Sequence, residues 1–349
     1  MTLHRTRSGT ARAALTLLTA FGALAGAALT GAAPAGAVQR GTRIAPGVVY
    51  DEFDIAAARG TAHAHVLTVD LRERRVRLGL LHPGAVAARA PVSRQAAALG
   101  AVAGVNGDFF NISETQHPGV QATGASVGPA IARGRVLKGA VPDGQRFGPA
   151  LPPGTSTADV FGVGTDRRAR LDRLRLTGSV RTPEGVLPLR GLNQYALPVG
   201  SVGAFTAAWG SASRVRATCG TDTDRAAPCS TDTYEVTVRR GRVVAASDTP
   251  GGGPVAAGTT VLVGREEGAR RLRKFFVGVR VTVRHRLVAA ASRVPYRFAL
   301  GGYPVLSGGR PLPGLDDPTW GGGGGGRGAG GGRGRGLGAG GGARAGPSA

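Results

Sequence analysis

Lysine is almost missing from this chain: of 44 Lys and Arg residues, only Lys138 and Lys274 are lysines. The positive charge is carried by arginine, in a sequence also rich in Ala, Gly and Pro. All four residue types have GC-rich codons, so coding bias competes with selection for a partner as the source of that charge. Acids are scarce too, with 21 Asp and Glu leaving a net charge of +23. Cysteine occurs twice, at Cys219 and Cys229. That excludes a disulfide-dense scaffold and, with no histidine near in sequence, makes a poor zinc site. His63 and His65 share a strand face but lack a visible third ligand. No metal site and no cofactor is therefore assigned. Beyond the first residues, no apolar run is long enough to cross a membrane.

What is present begins with an export signal. Arg5, Arg7 and Arg12 form a basic leader, Ala13 to Thr30 is apolar and small, and Ala35-Gly36-Ala37 offers a cleavage site before Val38. Residues 1–37 read as a signal peptide and 38–61 as a polar lead-in. The product is expected to be secreted, in places wall-associated, with no stable membrane insertion after cleavage. In that compartment Cys219 and Cys229 are expected to pair, which would contribute roughly 2–3 kcal/mol on a loop-entropy account. Removing three arginines of the leader and four of the last 32 residues leaves +16 for Val38 to Asp317. Such a field favours anionic polymers, and export selects phosphodiester-linked glycans over nucleic acid.

Apolar alternation predicts a mainly antiparallel β body. Strands are expected at Ala62 to Leu71 and Val76 to Leu80, forming a hairpin, and at Ala101 to Ala103. Further hairpins are read at Ala130 to Lys138 and Leu171 to Leu189, and another around Arg240-Gly241. Strands are also read at Ala158 to Val163, Thr260 to Val263, Val277 to Val283 and Phe298 to Leu300. Ser93 to Leu99 and Arg265 to Leu272 read as short helices, with Ser93 as N-cap and Gly100 as the stop of the first. The fold class is α+β, in one β-rich domain with a few short helices.

The chain is organised around Gly104 to Asn111, which reads Gly-Val-Asn-Gly-Asp-Phe-Phe-Asn. It brings Asn106, Asp108 and Asn111 to one loop, and Gly107 permits a turn or a close approach by a ligand. The same residues would equally make a tight Asx-type turn anchored by two phenylalanines. A second Gly-rich loop, Gly301-Gly302-Tyr303-Pro304, follows another apolar run. His117, in the polar stretch after the first loop, is either a titrating group or an ordinary loop residue.

Five segments in order resemble the phosphodiester glycosidase family, typified by N-acetylglucosamine-1-phosphodiester alpha-N-acetylglucosaminidase. They are Gly104 to Phe110, Gly191-Leu-Asn193, Phe205 to Gly210, Val261 to Gly264 and Leu300 to Leu306, and the resemblance spans residues 62–317. It implies a secreted hydrolase that cleaves a sugar from a sugar-phosphate diester, with the two Gly-rich loops at its cleft. Asp108 would then be the catalytic carboxylate, needed to manage water or oxocarbenium-like charge. Asn106, Gly107, Asn111, Asn193, Gly301 and Gly302 would bind the substrate, the last two through backbone N–H groups. The partner would be a glycosyl phosphodiester.

The resemblance stops near Asp317. The family's Arg-Thr-Ala-Val-Gly, Asp-Gly-Arg and Asn-Leu-Asp-Gly-Gly-Gly-Ser segments have no counterpart, so the domain reads as C-terminally truncated and inactive as written. Residues 318–349 are Gly, Arg and Ala almost throughout and should be disordered. They read as a shifted reading frame in preference to a flexible linker or an RGG-like nucleic-acid segment, which would carry aromatics. The alternative function is a non-catalytic basic protein that binds anionic cell-wall glycopolymers.

Overall fold

The computed structural model describes residues 41–57, 60–148, 150–313 and 315. The expected signal peptide at 1–37 and the expected disordered tail at 318–349 lie outside the described residues. The architecture is β-rich and mostly antiparallel, with two short helices. Three strands, β1 (Thr42–Ala45), β2 (Val48–Ala57) and β3 (Gly60–Val69), form a small sheet of their own. Helix α1 (Val92–Ala98) follows, and then a long irregular stretch leads to the hairpin β4 (Ala130–Ala132) and β5 (Arg135–Lys138).

The large sheet adds β6 (Asp159–Gly164), β7 (Ala169–Thr182), β8 (Gly185–Leu192), β9 (Val202–Phe205), β10 (Thr233–Arg239), β11 (Arg242–Ser247) and β12 (Thr259–Arg265). After α2 (Glu267–Leu272) come β13 (Thr282–Ala289) and β14 (Tyr296–Gly301). The strand order is β11-β10-β12-β9-β8-β7-β6-β14-β4-β5, with β13 on β7. Every pairing is antiparallel except β8 with β9. Turns with consecutive positive φ close the hairpins at Arg133-Gly134 and Arg240-Gly241, the backbone that matches the twist of a two-residue hairpin.

Two of the core clusters pack against the sheet. One gathers Phe147, Tyr195, Leu197, Phe205, Trp209 and Val263, and the Trp209 indole donates to the Ala212 carbonyl at 2.9 Å. The other gathers Val180, Leu189, Val236, Leu262, Leu272 and Val281.

Four expectations are corrected. The lead-in at 38–61 contains β1 and β2, and it is β2, not Val76 to Leu80, that pairs with β3. Val76 to Leu80 is irregular, and Arg167 ties the turn before it and its first residue, donating to Leu71 O, Glu73 O and Val76 O at 2.7–3.0 Å. Ala101 to Ala103 is not a strand. Gly100 takes φ +61° and the Ala101 N–H returns to Ala96 O at 2.9 Å, so the run caps α1, and Val102 stays 64% exposed. Ser93 is not the cap of α1, whose N-cap position is Pro91. Val277 to Val281 precedes β13 and bonds to the β10–β11 turn region through Val243 and Gly241, at 2.9–3.0 Å.

Candidate functional site

Asp108 is held where two distant loops meet. Phe109 to Asn111 run against Gly124 to Val127 through the bonds Val127 N–H to Phe109 O at 2.8 Å and Asn111 N–H to Ala125 O at 2.9 Å. That pairing sets Asp108 beside Gly128. Its carboxylate accepts from the Phe109 N–H through Oδ1 and from the Gly128 N–H through Oδ2, each at 2.8 Å. The backbone at Asp108 is left-handed, with φ +64°, a conformation Asp tolerates better than most residues.

Gly301, the last residue of β14, closes the other side. A Cβ at Gly301 would overlap Asp108 Oδ2 and lie 2.7 Å from Gly128 Cα, so two bare backbones frame the carboxylate. Asp108 as a residue is half-buried.

The most informative neighbour is one that motif reading passed over. Lys138, at the end of β5, is 1% exposed. Its ammonium donates to the carbonyls of Val127, Gly128 and Gly139, at 3.2 Å and 2.6 Å for the first and last. Burial pulls its pKa down to about 7 against the attraction of Asp108. Burial likewise pushes the Asp108 carboxyl above its ordinary value, opposed by Lys138, the two N–H donors and Arg146. A charge pair in reciprocal contact with one backbone segment is thus tuned towards neutrality, as acid–base groups at sites are. Its sequence signal was the rarity of lysine itself, a buried lysine in a chain that otherwise uses arginine.

Arg146 joins the two loops. Its guanidinium lies 4.6 Å from the ring centre of Phe109 and 4.9 Å from that of Tyr303, one ring from each loop. Beside it opens a groove lined by Asp143, Arg146, Leu151, Asp222 and Thr223.

The remaining sequence candidates divide. Asn106 and Gly107 are exposed on the loop carrying Asp108. Asn111 is fully buried: its amide donates to Ser113 O and Glu114, and its oxygen accepts from the Thr123 N–H and hydroxyl. Asn193 is also buried, at φ +46°, donating to Leu137 O at 2.7 Å and the Thr206 hydroxyl at 2.9 Å while accepting from Thr206 N–H. Both asparagines spend their polar atoms on the scaffold and present none to a substrate. The Gly302 N–H donates to Asp159 O at 3.0 Å, so it is committed to the sheet and not offered to a phosphate.

Cys219 and Cys229 form a disulfide, of the kind that persists in oxidising surroundings outside the cytosol. Contrary to the sequence reading, a histidine does lie near them. His117 reaches Ala227 O at 2.9 Å and Glu114 at 2.7 Å, tying the disulfide loop to the buried Arg216–Glu114 pair. With both sulfurs bonded to each other, this cluster is structural. Among the described residues, no helix is long and apolar enough to cross a membrane.

No protein-family model matches this chain, nor does any curated protein. Solved structures do share its fold. A hypothetical protein from Synechocystis superposes with a TM-score of 0.56 at 16% identity, over 77% of this chain and 45% of that one. A "putative exported protein" from Burkholderia pseudomallei superposes with a TM-score of 0.50 at 21% identity, over 70% of this chain and 52% of its own length. The chain thus spans about half the length of the structures it matches.

Proposed function

We propose that this is a secreted protein of the phosphodiester glycosidase type, a family that cleaves a sugar from a sugar-phosphate diester, and that it keeps the carboxylate of that chemistry although the family's C-terminal segments have no counterpart in it. The observation that carries the reading is the meeting of the two glycine loops at one carboxylate, with Gly128 and Gly301 on either side of Asp108. Asp108 is the group that would manage the attacking water or the oxocarbenium-like charge. Arg146, and Lys138 when it is protonated, act on Asp108 as cations, which suits a substrate that carries a phosphate; a phosphomonoester also departs with less acid assistance than an alcohol. On this reading Asn106, exposed on the same loop, would bind sugar hydroxyls.

The test is release of free sugar from a glycosyl-1-phosphodiester by the full chain and by Asp108→Asn. Turnover that falls by at least ~100-fold in the variant supports the assignment. Turnover that survives Asp108→Asn removes it. Binding of the diester without turnover by the unaltered chain assigns the cleft to a non-catalytic binding protein instead.

A further inference from the structure

The outer face of three adjoining strands carries five exposed arginines interleaved with small polar and apolar residues. In the β7–β13 ribbon the register pairs Arg181 with Thr282, Ser179 with Arg284, Thr177 with Arg286 and Arg175 with Val288. Directly paired residues share a face, and these positions are exposed apart from half-buried Ser179. The alternate positions, Leu176, Val180 and Val283, pack into the core, as do Leu187 and Leu189 of β8. On the other edge of β7, β8 pairs Pro188 with Ser179, and the exposed Arg190 follows two residues on.

Arg175, Arg181, Arg190, Arg284 and Arg286 therefore stand together on one outward surface. None forms an ion pair among the described residues, where other surface arginines such as Arg170 and Arg270 do. The three strands hold a single acid, Asp172. It belongs to the opposite face, where it accepts from Ser292 N–H at 2.9 Å and Tyr296 O–H at 2.8 Å. Glu184 sits in the β7–β8 turn, at the border of the face.

We propose that this face binds a phosphodiester-linked polyol polymer of the cell envelope. Side chains two residues apart on a strand recur every ~7 Å, and neighbouring strands lie ~5 Å apart. Arginine forks at that spacing suit the repeated phosphates of an extended chain. Thr177, Ser179 and Thr282 interleave hydroxyls with the guanidinium groups, matching a polymer whose phosphates alternate with polyol. Single-stranded nucleic acid is the poorer match, because its binding relies on aromatic platforms and these three strands contain no Phe, Tyr or Trp. The surface is separate from the chemistry proposed above, since the cations that act on Asp108 are Lys138 and Arg146.

The experiment measures binding of the full chain to delipidated poly(glycerol phosphate), to single-stranded DNA of equal phosphate number and to neutral dextran. The chain carrying Arg175→Gln, Arg181→Gln, Arg284→Gln and Arg286→Gln is compared with one carrying Arg239→Gln, Arg240→Gln and Arg242→Gln at the β10–β11 turn. The expected result is a loss of affinity of at least tenfold and a shallower salt dependence for the first set, and less than threefold loss for the second. Melting temperatures identify misfolding. If the quadruple variant fails to fold, Arg284→Gln with Arg286→Gln on β13 gives the same reading at reduced size. Unchanged affinity, equal loss in both sets, or DNA binding as tight as the polymer overturns the proposal. Because the readout is binding, it stands or falls independently of any sugar release.

Discussion

Gly301 shows what a missing side chain does at this site. Its Cα stands against Gly128 and its absent Cβ leaves the space that Asp108 Oδ2 occupies. Gly301→Ala should cost about 1–3 kcal/mol by overpacking and displace the carboxylate, checked by thermal melting alongside sugar release. An unchanged melting temperature would show that the loops do not approach this closely. Lys138 makes a prediction with a sign. Its folded pKa of about 7 lies below the ordinary 10.5, so between those values the unfolded chain holds a proton that the folded chain has lost. Stability from this group therefore rises with pH across that window, and the full burial penalty applies below it. In calorimetry at pH 7 and pH 9, Lys138→Met should gain less melting temperature on going to the higher pH than the unaltered chain. Parallel shifts would mean that Lys138 keeps its proton throughout.

Elements differ in how far sequence alone specifies them. The hairpins β4–β5 and β10–β11 were legible because alternation and positive-φ turns agree locally, and β7–β8 because its imperfect alternation is broken by a Pro-Glu-Gly turn. Ala101 to Ala103 and Val76 to Leu80 looked like strands, but the hydrogen bonds found there are capping or remote, to Ala96 in one case and from Arg167 at the edge of the other. Periodicity does not register such bonds. The disulfide element behaves as the spacing implied. Replacing Cys219 and Cys229 together by serine should lower stability by roughly 2–3 kcal/mol, read as a shift in urea midpoint. A smaller change would show that the Arg216–Glu114–His117 network already constrains the loop.

At the scale of the whole molecule, the antiparallel β-rich architecture was legible, and so was the convergence of the two glycine loops. What escaped was the division of labour among polar residues. Asn111 and Asn193 resemble ligand-binding residues in sequence, yet they are buried and support the scaffold, whereas Lys138 carried no motif and stands behind the carboxylate. The Arg146 clamp has one more effect. Phe109 and Tyr303 belong to opposite ends of the domain and touch a common cation, so no short fragment of the polypeptide contains the centre. Closing so long a span is among the costliest steps in chain entropy. The centre around Asp108 and the mature fold thus arrive together, and a half-made molecule does not yet contain it.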